Sequence, residues 1–322
     1  MLSCSNKVEQ QKNKPVVKFQ TRDVILDADT PINSIQFKNG YLFCLQQNGQ
    51  MIVLDSKYKR VGELEKKFDS HLTYLIAYHD TVYLGNNKKA YFLSSDCSPI
   101  SYSFKHRIYG EPFFQDSIYQ VTGCCMGEFG GSVSFINRVK NKTYSYFATC
   151  PMQVLRFKNE YVVCNNLAHL EYHGNFLFIK DPTRLYDITD YKEKNYCNWY
   201  VTVDSLKDYS NLKKPSEVRE YSMWDAMSLL TFPYQDTLYS IISTSKATIL
   251  SVHRQDSLYT IDTIKPKMIH FHDISVTSDG TRMASLYRLT GGSPVAAFSE
   301  WGNESGIIVA NGTHIDFLQM RK

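Results

Sequence analysis

The chain has no long apolar run: nowhere in its 322 residues is there a stretch near the roughly 18 apolar residues that cross a bilayer. A helical membrane span is therefore excluded. Strong charge of one sign is also missing. Lys and Arg total 36 against 32 Asp and Glu, and no basic stripe with interleaved aromatics occurs, so a nucleic-acid partner is not expected. The eight cysteines, at 4, 44, 97, 124, 125, 150, 164 and 197, contain no C-x-x-C, which argues against zinc-ribbon or thioredoxin-like chemistry. There is no Gly-x-Ser-x-Gly elbow, no His-Glu-x-x-His and no dinucleotide fingerprint, so the sequence names no catalytic class.

Aromatic residues are abundant: 23 Tyr and 18 Phe favour pleated, half-buried surfaces and hence strands. One short pattern recurs, an apolar stretch, a polar pair, then an apolar-aromatic stretch. Examples are Ile35-Gln-Phe-Lys-Asn-Gly-Tyr-Leu-Phe43 and Leu155-Arg-Phe-Lys-Asn-Glu-Tyr-Val-Val163. Six copies centre on Asn39, Asp80, Asp116, Asn159, Asp236 and Asp279, residue types that tolerate hairpin dihedrals. Their intervals are 41, 36, 43, 77 and 43 residues, and all but one match the period of a four-stranded propeller blade. In the first copy, strands are expected over Gly40–Gln46, Gln50–Asp55 and near Lys59–Leu64. In the fifth they are expected over Thr237–Ser243, Ala247–His253 and Ser257–Ile264.

The expected fold is thus all-β, a single β-propeller over 15–322, with six blades and an insertion or irregular blade at 189–222. Seven blades is the alternative, because the long interval is near twice the period and Trp199–Asp204 reads as a strand. A tandem of β-sandwiches is the competing architecture. The stretch Pro15–Leu26 and the terminal Thr313–Met320 are strands without blades of their own, and pairing them would close the ring and hide its edges. The product is expected to be a monomer.

Three clusters could carry chemistry. His169, Glu171 and His173 alternate on what reads as one strand, and two imidazoles with a carboxylate could hold a divalent metal. Strand spacing of roughly 6.8 Å between alternate residues is loose for a single ion. His270 and His272 share a face, with Asp273 opposite, and the segment leads into an expected innermost strand, where polar groups line the central channel and can bind a ligand. The glycine-rich Gly123-Cys-Cys-Met-Gly-Glu-Phe-Gly-Gly-Ser132 falls between a blade's second and third strands. It is not a phosphate loop, and its Glu128 and Phe129 are candidate ligand contacts. Cys44 and Cys164 sit in apolar strand patterns, as small buried hydrophobes do. Cys124 and Cys125 are neighbours on a strand and point to opposite faces, so they are not expected to bond each other.

Residues 1–14 are polar and read as a flexible tether. Small residues ahead of Cys4 resemble the end of a bacterial lipoprotein signal with its lipidated cysteine. The apolar stretch that normally precedes such a cysteine is missing here, so the reading requires a leader upstream of Met1. Met126-Gly-Glu-Phe-Gly-Gly131, Thr149-Cys-Pro151, Asn166-Leu-Ala-His169 and Asp181-Pro-Thr-Arg-Leu185 resemble the recurring text of propeller-like lipoproteins common in Bacteroidetes. The Gly-Pro-Gly-Glu-Tyr text of another propeller lipoprotein group is not found. The resemblance implies a propeller anchored in the cell envelope, at the outer membrane or in the periplasm, and implies no catalytic residues or cofactor. The leading function is a lipid-anchored module that binds a glycan, peptide or partner protein through one propeller face and meets the membrane only through its anchor. Alternatives are a hydrolase or lyase with a metal or His/Asp site in the channel, and a cytoplasmic scaffold.

Overall fold

A computed structural model describes residues 17–28, 30–78, 81–102, 114–125, 130–169, 171–190, 217–254, 257–289 and 304–321, with backbone alone at 168, 169, 171, 172, 270–275, 288, 289, 304, 305 and 321. The first strand, β1 (Gln20–Asp27), is set apart from the sheet that follows it. Blade one holds β2 (Ile32–Lys38), β3 (Tyr41–Gln46) and β4 (Met51–Leu54). Blade two holds β5 (Tyr74–Tyr78), β6 (Thr81–Gly85), β7 (Ala90–Leu93) and β8 (Pro99–Tyr102). Blade three holds β9 (Phe114–Gln115), β10 (Tyr119–Cys125), β11 (Gly131–Asn137) and β12 (Lys142–Phe147).

Blade four holds β13 (Pro151–Phe157), β14 (Glu160–His169) and β15 (Glu171–Ile179). A two-residue strand, β16 (Tyr186–Asp187), then pairs with β12 of the blade before. The outermost strand of blade four follows as β17 (Val218–Trp224). Blade five holds β18 (Ala226–Tyr234), β19 (Thr237–Thr244), β20 (Thr248–Arg254) and β21 (Ser257–Lys265). Blade six holds β22 (His270–Ser278), β23 (Arg282–Leu289), β24 (Glu304–Asn311) and β25 (His314–Arg321). β1 pairs in parallel with β25, from Gln20 opposite His314 to Asp27 opposite Arg321, and so closes the ring. The fold is a six-bladed β-propeller sealed by its terminal strands, as the repeat predicts.

Strand periodicity explains how the blades stack. Successive side chains point to opposite faces, and here each face meets a different blade. In blade one Leu42, Cys44, Ile52 and Leu54 join the cluster shared with blade six. Their neighbours Phe43, Leu45, Met51 and Val53 join the cluster shared with blade two. Val163 and Val162 likewise serve the joints with blades three and five. With both faces buried, the sequence reads as nearly continuous apolar runs, which is why its alternation is imperfect.

The repeat centres are the turns from the innermost to the second strand. Asn39 and Gly40 have φ of 49° and 84°, and Gln235 and Asp236 have 45° and 58°, as tight hairpins demand. Asp80 lies outside the described residues. The three strands expected in blade five appear as β19, β20 and β21.

The strand expected near Lys59–Leu64 is absent. Its place is taken by a single bridge from Leu54 to Arg60 and a short helix, Gly62–Glu65. The Glu65 carboxylate accepts the Val53 N–H at 3.1 Å, a donor on the outer edge of β4, so the edge is satisfied by a side chain. The long interval holds no seventh sheet among the described residues. Val218–Trp224, overlapping the end of the segment read as an insertion or irregular blade, is blade four's outermost strand, and Trp199–Asp204 lies outside the described residues.

Candidate functional site

The six innermost strands, β2, β5, β9, β13, β18 and β22, surround a channel of about 780 Å³. Each contributes an apolar side chain to its wall: Phe37, Ile76, Phe114, Met152, Pro233 and Val276. The polar side chains are mostly fixed by bonds between blades. Thr277 Oγ1 accepts the Phe37 N–H at 3.2 Å and donates to Gln36 Oε1 at 3.0 Å. Ser34 donates to the Leu75 carbonyl at 2.6 Å.

Blades four and five are joined by two amide clamps. Gln153 donates to the Thr231 carbonyl at 2.6 Å and accepts the Thr231 N–H at 2.9 Å. Asn166 does the same for Ser228, at 2.6 and 2.9 Å. The side chains thereby continue a β-ladder across the joint, around the bulge between Ser228 and Leu230. From there a chain of buried hydroxyls runs outward: Ser228 to Thr231 at 3.0 Å, Thr231 to Ser240 at 2.8 Å, and Ser240 to His253 Nε2 at 2.7 Å. Burial pushes the His253 imidazole down to about 4, so at neutral pH it is an uncharged joint residue.

Charged groups stand at the turn end of the channel. Asp279 accepts from Arg282 Nε at 2.8 Å, and Arg282 also donates to the Gly40 carbonyl at 2.9 Å and lies over the Phe37 ring. Burial works to raise the Asp279 carboxyl, but hydrogen bonds from the Arg282 and Thr281 backbone and side chains outweigh it and hold it below the usual range. Asp116 binds the Tyr161 hydroxyl at 2.6 Å and Arg156 at 3.2 Å, tying blade three to blade four.

The residues singled out in the sequence are distributed as follows. His270, His272 and Asp273 do lie on an innermost strand, β22, described there as backbone. Glu128, Phe129 and Cys4 lie outside the described residues. His169, Glu171 and His173 do not share a strand: the chain reverses between His169, the last residue of β14, and Glu171, the first of β15, which are register partners. His173 stacks on Trp224 with ring centroids 4.6 Å apart. No group of three His, Cys, Asp or Glu is arranged to hold a metal among the described residues. Cys44 and Cys164 are buried thiols. Cys125 is bonded to Cys150, fastening the end of β10 to the start of blade four.

Sequence reading missed Gln153, Asn166 and Trp224. The amides are clamps to residues 78 and 62 positions away, which no local pattern reveals. Trp224 carried a signal in its rarity, as one of three tryptophans.

Together these features define a closed, cross-braced β-propeller with an open channel. No protein-family profile matches the chain, and no curated protein matches its sequence. Among solved structures it is similar to BamB from Moraxella catarrhalis, at 8% identity over 78% of this chain and 68% of that one, TM-score 0.35. It is also similar to the β-propeller domain of the Trilobed protease from Pyrococcus furiosus, at 10% identity over 86% and 92%, TM-score 0.33. A third is the computationally designed Ika8 protein, at 7% identity over 90% and 96%, TM-score 0.39. These likenesses concern the fold, which the six sheets establish by themselves.

Proposed function

We propose that the chain is a cell-envelope binding module that receives a peptide, glycan or protein segment in its central channel and is tethered through a lipidated Cys4. The observation that carries the first part is the channel. At about 780 Å³ it has the size of a ligand pocket, and its walls mix apolar side chains with oriented polar ones such as Ser34, Gln36, Gln153 and Thr277. Those groups are held by bonds between blades, so the cavity is preorganised and binding costs little ordering. The Cys125–Cys150 disulfide supports an oxidising compartment, which fits the envelope and the lipoprotein-like N-terminus.

Ala77 lines the channel and is exposed within it, so Ala77→Trp should fill the cavity without disturbing a core. Envelope components retained by the immobilised wild-type chain are expected to be lost with this variant while its melting temperature is unchanged. Equal retention by both proteins would remove the channel from the reading. The tether has its own test. Palmitate should label the full-length gene product in its host, and Cys4→Ala should abolish labelling and release the chain from membranes. A Cys4→Ala protein that stays membrane-bound would overturn the anchor.

A further inference from the structure

We propose that the outermost strand of blade four carries a second site, separate from the channel, that binds a neutral oligosaccharide along Trp224, Ser222 and Glu220. The three residues alternate on β17, so they share one face, and all three are exposed, Trp224 at 74%. Strand rise places Trp224 and Glu220 roughly 13 Å apart, long enough for several linked sugar rings.

The strip is built on a prepared base. The His173 ring lies flat against one face of the Trp224 indole, 13° from parallel. The imidazole supports the indole and leaves the other face to solvent. The chain then turns into blade five through a single residue, Asp225, with a φ of 55° and its carboxylate bonded to Ser245. This short connection fixes where the indole stands. Below the other end of the strip, Asn165 donates to Asn175 at 2.5 Å and Asn175 donates to Glu220 at 3.2 Å. That relay orients the carboxylate as an acceptor. It costs stability, because Asn165 Oδ1 and His173 Nε2 are buried without partners among the described residues. This polar row flanks the apolar cluster that blades three and four share.

The chemistry of the strip selects its ligand. A sugar ring has an apolar face and a rim of hydroxyls. The indole offers a flat apolar platform, and Glu220 and Ser222 offer acceptors for hydroxyl donors. A protein partner would need a contiguous apolar patch. Among the described residues, the other exposed large apolar ones, Ile25, Ile100, Tyr102, Ile118, Val139 and Tyr259, all lie on other blades.

The test is titration of the purified full chain with cellohexaose, chitohexaose and laminarihexaose, followed by calorimetry and indole emission. At least one should bind saturably and shift the emission. Trp224→Ala should weaken it tenfold or more, about 1.4 kcal/mol, Trp224→Phe by less, and Glu220→Gln measurably with no change in melting temperature. Ala77→Trp should leave this binding intact, because the channel is elsewhere. No saturable binding of any of the three, or full affinity in Trp224→Ala, overturns the strip. Binding lost in Ala77→Trp and kept in Trp224→Ala assigns the sugar to the channel, overturning the strip and not the module.

Discussion

Single residues brace the joints between blades, and two of them make sharp predictions. His253 is the clearer case. Its ring is bonded to Ser240 and meets the Phe176 edge at 4.6 Å, and burial lowers its pKa to about 4 against about 6.5 for a free imidazole. The folded state therefore resists a proton that the unfolded state accepts. Above pH 6.5 neither state is charged and stability is unaffected. As pH falls from about 6.5 to 4 the unfolded chain gains protons first, and stability drops by up to about 3 kcal/mol. Urea unfolding at pH 7.5 and 4.5 should show His253→Gln losing about 2–3 kcal/mol less than wild type, and parallel losses would refute the assignment. Gln153→Leu should cost about 2–4 kcal/mol at neutral pH, because the Thr231 N–H and carbonyl are left buried and unpaired. Neither role was legible in the sequence. Hairpin turns such as Asn39-Gly40 are written in adjacent residues, whereas Gln153 and Thr231 are 78 positions apart and meet only once two blades have formed.

At the scale of the element, the repeat revealed blade five strand for strand and the closing strand Thr313–Met320 of blade six, and failed where a blade borrows. Lys59–Leu64 holds one β-branched residue, Val61, beside Gly62, Glu63 and Lys59, which strands disfavour, and Glu65 satisfies the Val53 N–H on the edge of β4. The outermost strand of blade four starts 39 positions beyond the end of β15, from Ile179 to Val218, so no local period links the two. Two-residue β16 is too short to show a pattern at all. The His169–Glu171–His173 alternation was real but its strand was not, because His169 ends β14 and Glu171 begins the antiparallel β15. The disulfide is likewise an element-scale device. Cys125 and Cys150 close a loop of 25 residues, for which loop-closure entropy gives about 3–4 kcal/mol. Cys150→Ala should lower the melting temperature by about 5 °C. A melt indistinguishable from wild type, with Cys125 shown by mass spectrometry to be bonded in the parent, would mean the blade three–four joint does not depend on the bond.

For the whole molecule the decisive contact is the closure. Five strands form the last sheet, and one of them, β1, comes from the opposite end of the sequence. Eight register pairs run along β1 and β25, Arg22 Nε is 2.9 Å from Asp316, and Leu26 and Phe19 enter the clusters on either side of blade six. Both ends of the chain must therefore be in place before the ring can shut, and its longest-range contacts form at the largest loop-closure cost. Removing residues through Asp27 would uncover the full edge of β25, which carries the apolar Ile315, Phe317 and Leu318, and an uncovered apolar edge templates further strands. The truncated chain is expected to lose its single cooperative melt and to associate, read as a shift to higher mass in light scattering. Supplying residues 17–28 as a separate peptide should restore the monomer and protect β25 amides from hydrogen exchange. A truncated chain that remains monomeric and melts like the parent would show that blade six stands without β1, and that packing of blade six on blade one is enough to close the ring.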